Sequence, residues 1–111
     1  MAAKRPFFPL LDVKKIAQQR DGLQLSKTKA QASFSTFAAA LHAARSMIES
    51  LTERDFVETK QQCDPCDVYV VVIDKHGWYV KLTLLPEKVV LISFHPLDYP
   101  LRTARGHEVK T

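Results

Sequence analysis

The chain has 111 residues, enough for one hydrophobic core and one domain spanning residues 1–111. Apolar residues make up 46% and charged residues 25%, the balance of a water-soluble globule, and no apolar run approaches the length of a bilayer span. The formal charge of +4 and pI near 9.2 permit a polyanionic partner without requiring one.

The first nine residues hold two prolines and the adjacent Phe7 and Phe8, and read as an extended arm, residues 1–9. No signal-like apolar segment follows Met1–Pro6, so the cytoplasm is the expected compartment and the two cysteines are expected as reduced thiols. From Pro9, the residues Leu10, Val13, Ile16 and Ala17 share one stripe of a short amphipathic helix, with proline suited to its first turn and Asp21-Gly22 marking its end. Residues 23–31 alternate polar and apolar side chains and read as a short strand or loop. A longer helix is expected from about Ser33 or Ser35 to Leu51. In it Phe34, Phe37, Leu41, Ala44, Ile48 and Leu51 recur at spacings of three and four. His42 lies near that stripe and reads as structural. Thr52 offers a new cap, so a turn or sharp bend follows.

From Phe56 the period changes to two. Phe56–Gln61 reads as a strand, Cys63–Cys66 as a turn and Asp67–Ile73 as a central strand apolar on both faces. Asp74–Gly77 reads as a second turn. In the run Gly77–Leu84, Trp78, Val80, Leu82 and Leu84 lie opposite Tyr79, Lys81 and Thr83. In Val89–Pro96, Val90, Ile92 and Phe94 lie opposite Ser93 and His95. A hairpin must bring the two apolar faces together, since a one-residue slip would expose one of them. An odd loop, most simply Pro86-Glu87-Lys88, does so and sets Tyr79 opposite His95 and Lys81 opposite Ser93. An even loop between the two preceding strands puts Cys66, Val68, Val70 and Val72 on the same face as Tyr79. Pro96 and Pro100 stop the last strand, and the tail 103–111 is polar and expected to fray. The class is therefore α+β: a twisted antiparallel sheet with the N-terminal helices packed on one face.

The other face carries the candidate chemistry. RNA cleavage through the 2′-hydroxyl needs a base for that proton, cations for the charged phosphorane and an acid for the leaving 5′-oxygen. His95, Lys81, Tyr79, Arg102 and an acidic residue such as Glu58 can fill those roles. The plainer alternative is a solvated strand face. Cys63-x-x-Cys66 has no second CxxC or HxxxH to complete a zinc site, and it precedes a strand where a redox pair would open a helix. His42, His76, His95 and His107 are scattered. Lys4-Arg5 and Lys14-Lys15 read as solvated basic pairs.

The order of segments resembles the motility quorum-sensing regulator (MqsR) toxins, small bacterial ribonucleases with a RelE-like fold. Lys4-Arg5-Pro6, Pro9-Leu10 and Val13-Lys14-Lys15 look like that family's opening, and Leu51–Phe56 is similar to its leucine-threonine/serine-x-x-aspartate-phenylalanine segment. Asp67-Val68-Tyr69 matches the end of its tryptophan-glutamine-aspartate-valine-tyrosine segment. Tyr79–Thr83 and Leu91–Phe94 match its last two strands. The family's tyrosine is present as Tyr79. Its lysine after phenylalanine is replaced by Glu58, its glutamine by Cys66, its tryptophan by Pro65 and its last-strand lysine by His95. The resemblance implies a divergent endoribonuclease toxin that cuts mRNA, free or on the ribosome, inhibits translation and is neutralised by a protein antitoxin. The expected catalytic residues are His95, Tyr79, Glu58 and Lys81, with Lys60, Ser93 and Arg102 as RNA contacts. No cofactor, metal or membrane partner is expected. A glutamate base with a histidine acid is a workable pair near neutral pH. The alternative is a non-catalytic module of the same fold that binds RNA, the ribosome or a protein partner.

Overall fold

A computed structural model describes residues 5–61 and 64–111. Lys4 and Cys63, each half of a pair noted above, lie outside the described residues. Helix α1 (Leu10–Ala17) starts behind Pro9, with Asp12 in its first turn and Lys14 and Lys15 in its last, each charge complementing the helix dipole. Val13 and Ala17 are buried. The chain leaves the helix through Gly22, where a Cβ would stand 1.8 Å from the carbonyl oxygen of Ile16. Only glycine permits that approach.

Helix α2 (Phe37–Ser50) begins later than the apolar spacing suggests, because the Thr36 side chain accepts from the Ala39 amide at 3.0 Å and caps it. The buried stripe is Ala40, Ala44, Met47 and Ile48. Phe37 is 54% exposed, Leu41 is half-buried and His42 is exposed, so the expected stripe is rotated by about one position. The small alanine faces let α2 approach α1 and the sheet closely. A 3₁₀ turn at Glu53–Asp55, with Thr52 and Asp55 bonded to each other, redirects the chain into the sheet.

The five-stranded sheet has the order β1-β5-β4-β3-β2, with β1 at Leu23–Leu25, β2 at Phe56–Gln61, β3 at Pro65–Ile73, β4 at His76–Leu84 and β5 at Val89–Pro96. Strands β2 to β5 form an antiparallel meander, but β1 runs parallel to β5, so the sheet is mixed rather than antiparallel throughout. The parallel edge follows from the connection, since α2 lies between β1 and the meander and carries the chain across the sheet. The Pro65-Cys66 pair belongs to β3, not to a turn. The β3–β4 connection is only Asp74-Lys75, both at positive φ (51° and 71°), as a tight two-residue hairpin requires.

The β4–β5 hairpin departs from the odd-loop expectation while keeping the register at its far end. Leu84 pairs with Val89 across a four-residue loop, then a bulge between Lys81 and Leu82 shifts the register by one. Tyr79 pairs with His95 and Lys81 with Ser93. The extra residue of the loop is compensated by the extra residue of the bulge. Val89 and Leu91 are therefore the core residues of this half of β5, and Ile92, expected in the core, is only half-buried.

The core lies between the helices and one sheet face, with Ile48, Tyr69, Val80, Leu82, Leu91 and Phe94 at its centre. Phe34, Trp78 and Phe94 pack their rings together at its margin, with centroids 5.0–5.6 Å apart. The arm is tied down: the buried Asp67 carboxylate accepts from the amides of Phe7 (2.9 Å) and Phe8 (2.8 Å) and from the Thr59 hydroxyl (2.6 Å). The tail expected to fray forms a second hairpin instead, β6 (Leu101–Arg102) with β7 (Glu108–Val109), anchored through Ala104 N to the Phe56 carbonyl at 2.8 Å. It packs so closely over β4 that a Cβ on Gly77 would meet the Lys110 carbonyl at 2.5 Å. Among the described residues no helix is long and apolar enough to cross a membrane.

Candidate functional site

The sheet face away from the helices is covered at one end by the C-terminal hairpin and open at the other. Pairing lays out its side chains in rows. Glu58, Val68, Lys81 and Ser93 form one row across four strands, and Val70, Tyr79 and His95 form the next. Two bulges produce this layout. The one in β5 sets Ser93 and His95 opposite Lys81 and Tyr79. The other, between Phe56 and Glu58, moves Glu58 from the helix-facing row of Phe56 and Tyr69 to the row of Val68. Without it, alternation from Phe56 would point Glu58 into the core.

The result is an open groove of about 370 Å³ that gathers Glu58, Lys60, Tyr79, Lys81, Ser93 and His95. Every expected site residue except Arg102 lines it. Arg102 lies on β6 and braces the C-terminal hairpin, with its guanidinium 3.6 Å from the Glu108 carboxylate and donating to the Gly106 carbonyl at 3.2 Å. Arg102 therefore stands outside the groove lining, with its side chain 67% exposed. Ser93 is 2% exposed and forms the floor of the groove, while Glu58 is exposed and Lys60, Tyr79, Lys81 and His95 are half-buried.

His95 is held from two sides. Its ring stacks on Tyr79, with centroids 5.4 Å apart and planes 21° from parallel. Its Nδ1 lies 2.9 Å from the Pro96 carbonyl oxygen. A carbonyl only accepts, so Nδ1 carries the proton and donates, which leaves Nε2 for a bound molecule. Beside this pair, Lys81 stands in the centre of the groove between the strands that carry Glu58 and His95.

Three further residues of the groove were not singled out by sequence. Lys29 comes from the loop after β1, where its carbonyl accepts from the Phe94 amide at 2.7 Å and continues the sheet edge. Asp98 and Tyr99 come from the segment between β5 and β6. Lys29 falls in the alternating stretch 23–31, but the strand there ends at Leu25, so alternation does not place it, and Tyr99 sits between Asp98 and Pro100 in a stretch that alternation cannot orient. Cys66 is 3% exposed on the same sheet face, and its thiol donates to the Asp64 carbonyl at 3.5 Å. Burial pushes that thiol above its ordinary value; Lys81 opposes the shift, and Asp64 and Asp67 add to it. It is an unreactive thiol, not a poised nucleophile. Among the described residues no three histidine, cysteine, aspartate or glutamate side chains gather as metal ligands.

The groove thus holds three ammonium groups and one imidazole against the carboxylates of Glu58 and Asp98. It offers positive charge for a phosphate, a carboxylate and an imidazole for proton transfer, and aromatic rings for a base. Comparisons of the chain with family models, with curated proteins and with solved structures found no match.

Proposed function

We propose that this protein is an endoribonuclease, the toxin of a bacterial toxin–antitoxin module, which cleaves mRNA through its 2′-hydroxyl using side chains alone and so inhibits translation. One observation carries the reading: Glu58 and His95 lie in the same groove on opposite sides of Lys81. Adjacent strands are about 4.8 Å apart and successive rows about 7 Å, so about 16 Å separates the backbones of Glu58 on β2 and His95 on β5, which stand one row apart. With Lys81 between them, the two side chains approach a phosphodiester from opposite sides.

In this arrangement the Glu58 carboxylate accepts the 2′-hydroxyl proton, and the 2′-oxygen attacks phosphorus. Lys81 offsets the charge that builds on the phosphorane oxygens, with Lys60 on β2 adding to the positive field of the groove. The imidazolium of His95 donates its Nε2 proton to the leaving 5′-oxygen as the P–O5′ bond breaks. The products are a 2′,3′-cyclic phosphate and a 5′-hydroxyl. Tyr79 holds the imidazole plane from one side and the Pro96 carbonyl fixes its tautomer from the other. The MqsR-like order of segments supports the same reading, and the substitutions at Glu58 and His95 supply a base and an acid at positions where that family has lysines.

The test is cleavage of a single-stranded RNA by purified protein in EDTA, with the product ends identified. Cyclic phosphate ends that disappear in His95→Ala support the reading. RNA that binds without being cut, on or off the ribosome, would make this a non-catalytic binding module instead. Induced expression that leaves growth and translation unaffected would remove the toxin assignment.

A further inference from the structure

Tyr99 is the large side chain at this site that the catalytic scheme does not use. It is 67% exposed, yet it lines the groove beside Asp98. A single exposed aromatic elsewhere on a surface would need no explanation. This one stands at the edge of a basic groove, on a short segment fixed at both ends. The Leu97 amide donates to the Gly77 carbonyl at 2.9 Å on one side, and β6 begins at Leu101 on the other. Among the described residues its ring has no stacking partner of the kind that Tyr79 has in His95.

The lysines of the groove are spread, not clustered. Lys60 is on β2 at one edge of the sheet, Lys81 is on β4, and Lys29 lies beyond β5. A backbone that met all three would cross the strands obliquely and pass the exposed ring. We infer that the groove binds RNA as an extended single strand, with Tyr99 as the stacking platform for an unpaired base next to the scissile phosphate. This rests on the ribonuclease reading above and names its substrate class. A paired base has both faces covered by its neighbours and cannot stack on the ring, so duplex RNA is excluded by the same contact. Stacking tolerates any base, so Tyr99 selects for single strands rather than for sequence. Asp98, a carboxylate beside the ring, adds an acceptor for base N–H groups and repels a second phosphate from that position.

The probe is a labelled single strand of about a dozen 2′-O-methyl nucleotides, which cannot be cut because the attacking hydroxyl is blocked. Binding is read by fluorescence anisotropy for the wild type, Tyr99→Ala, Tyr99→Phe and Tyr99→Trp. Tyr99→Ala should weaken binding by roughly 10-fold or more, and the two aromatic variants should stay within about twofold of wild type. The same sequence annealed into a duplex should compete poorly. Wild-type binding that Tyr99→Ala leaves within about twofold overturns the inference, as does a duplex that competes as well as the strand. Polyglutamate held as tightly as the RNA overturns it too, because the groove would then be a general anion site. The two readings fail separately. Binding lost in Tyr99→Ala by a protein that never cuts RNA keeps this inference and removes the ribonuclease. Cleavage by a protein whose binding ignores Tyr99 does the reverse. A wild type that binds no strand removes both.

Discussion

Tyr79 and His95 face each other across the β4–β5 hairpin with their rings stacked, and the Pro96 carbonyl accepts from the same imidazole. A ring clamped on one face and at one nitrogen has a single orientation in the groove. Catalysis gains when a proton donor is held in place before the substrate arrives.

His95→Ala should lower RNA cleavage by about 100-fold or more, the usual size for loss of a general acid, with melting temperature unchanged. Glu58→Gln should cost a similar factor, since the amide keeps the shape and loses the base. Tyr79→Phe should retain most activity because the stacked ring remains. Equal cleavage by wild type and a well-folded His95→Ala would remove His95 as the acid.

The rotated stripe of α2 makes a graded stability prediction. Ile48 is 1% exposed, so Ile48→Ala should cost roughly 2–5 kcal/mol in urea unfolding. Phe37 is 54% exposed at the first turn, and Phe37→Ala should stay within about 0.5 kcal/mol. Leu41, half-buried, should fall between them. Equal losses at Phe37 and Ile48 would place the helix differently from the structure.

Asp67 joins the arm to the sheet through two hydrogen bonds, from the Phe7 and Phe8 amides, to one buried carboxylate that also accepts from Thr59 on β2. Bonds to a charged group contribute about 1.5–3 kcal/mol each, and they are not additive within one cluster. Asp67→Ala should therefore cost about 3 kcal/mol or more, and the Phe7 and Phe8 amides should lose their protection from hydrogen exchange. Protection that survives the substitution would show that the arm is held by its aromatic rings alone.

Tyr69 is fully buried, and its hydroxyl has no hydrogen-bond partner among the described residues. Burial first, then the Asp67, Glu53 and Asp55 carboxylates, holds its phenol above the ordinary value of 10.0. Below that value both folded and unfolded chains keep the proton, and stability is unaffected. Above it the unfolded chain ionises first, so stability falls as pH rises. Tyr69→Phe should be neutral or up to about 1 kcal/mol stabilising at pH 7, since it removes an unpaired buried hydroxyl. Its alkaline loss of stability should also be shallower. A large destabilisation at neutral pH would mean that the hydroxyl has a partner in solution.

The local alternation of Trp78–Leu84 and of Ser93–Pro96 determined which side chains of the hairpin share a face, because a strand with one buried side has a single register that keeps its apolar residues dry. It put Tyr79, Lys81, Ser93 and His95 on one face with Val68 and Val70, while the pairing of Tyr79 with His95 is kept by a four-residue loop and a bulge in place of the expected three-residue loop. Tertiary structure decided the rest. The bulges before Glu58 and at the Lys81–Leu82 step each turn a strand by one residue, and no local pattern marks a bulge that only the paired strand makes necessary. The parallel edge at β1, the placement of Lys29 and Tyr99 in the groove, and the hairpin that takes Arg102 out of it all depend on contacts between segments far apart in the chain. Periodicity encodes which face a residue takes within an element, while the neighbours of that face are chosen by packing.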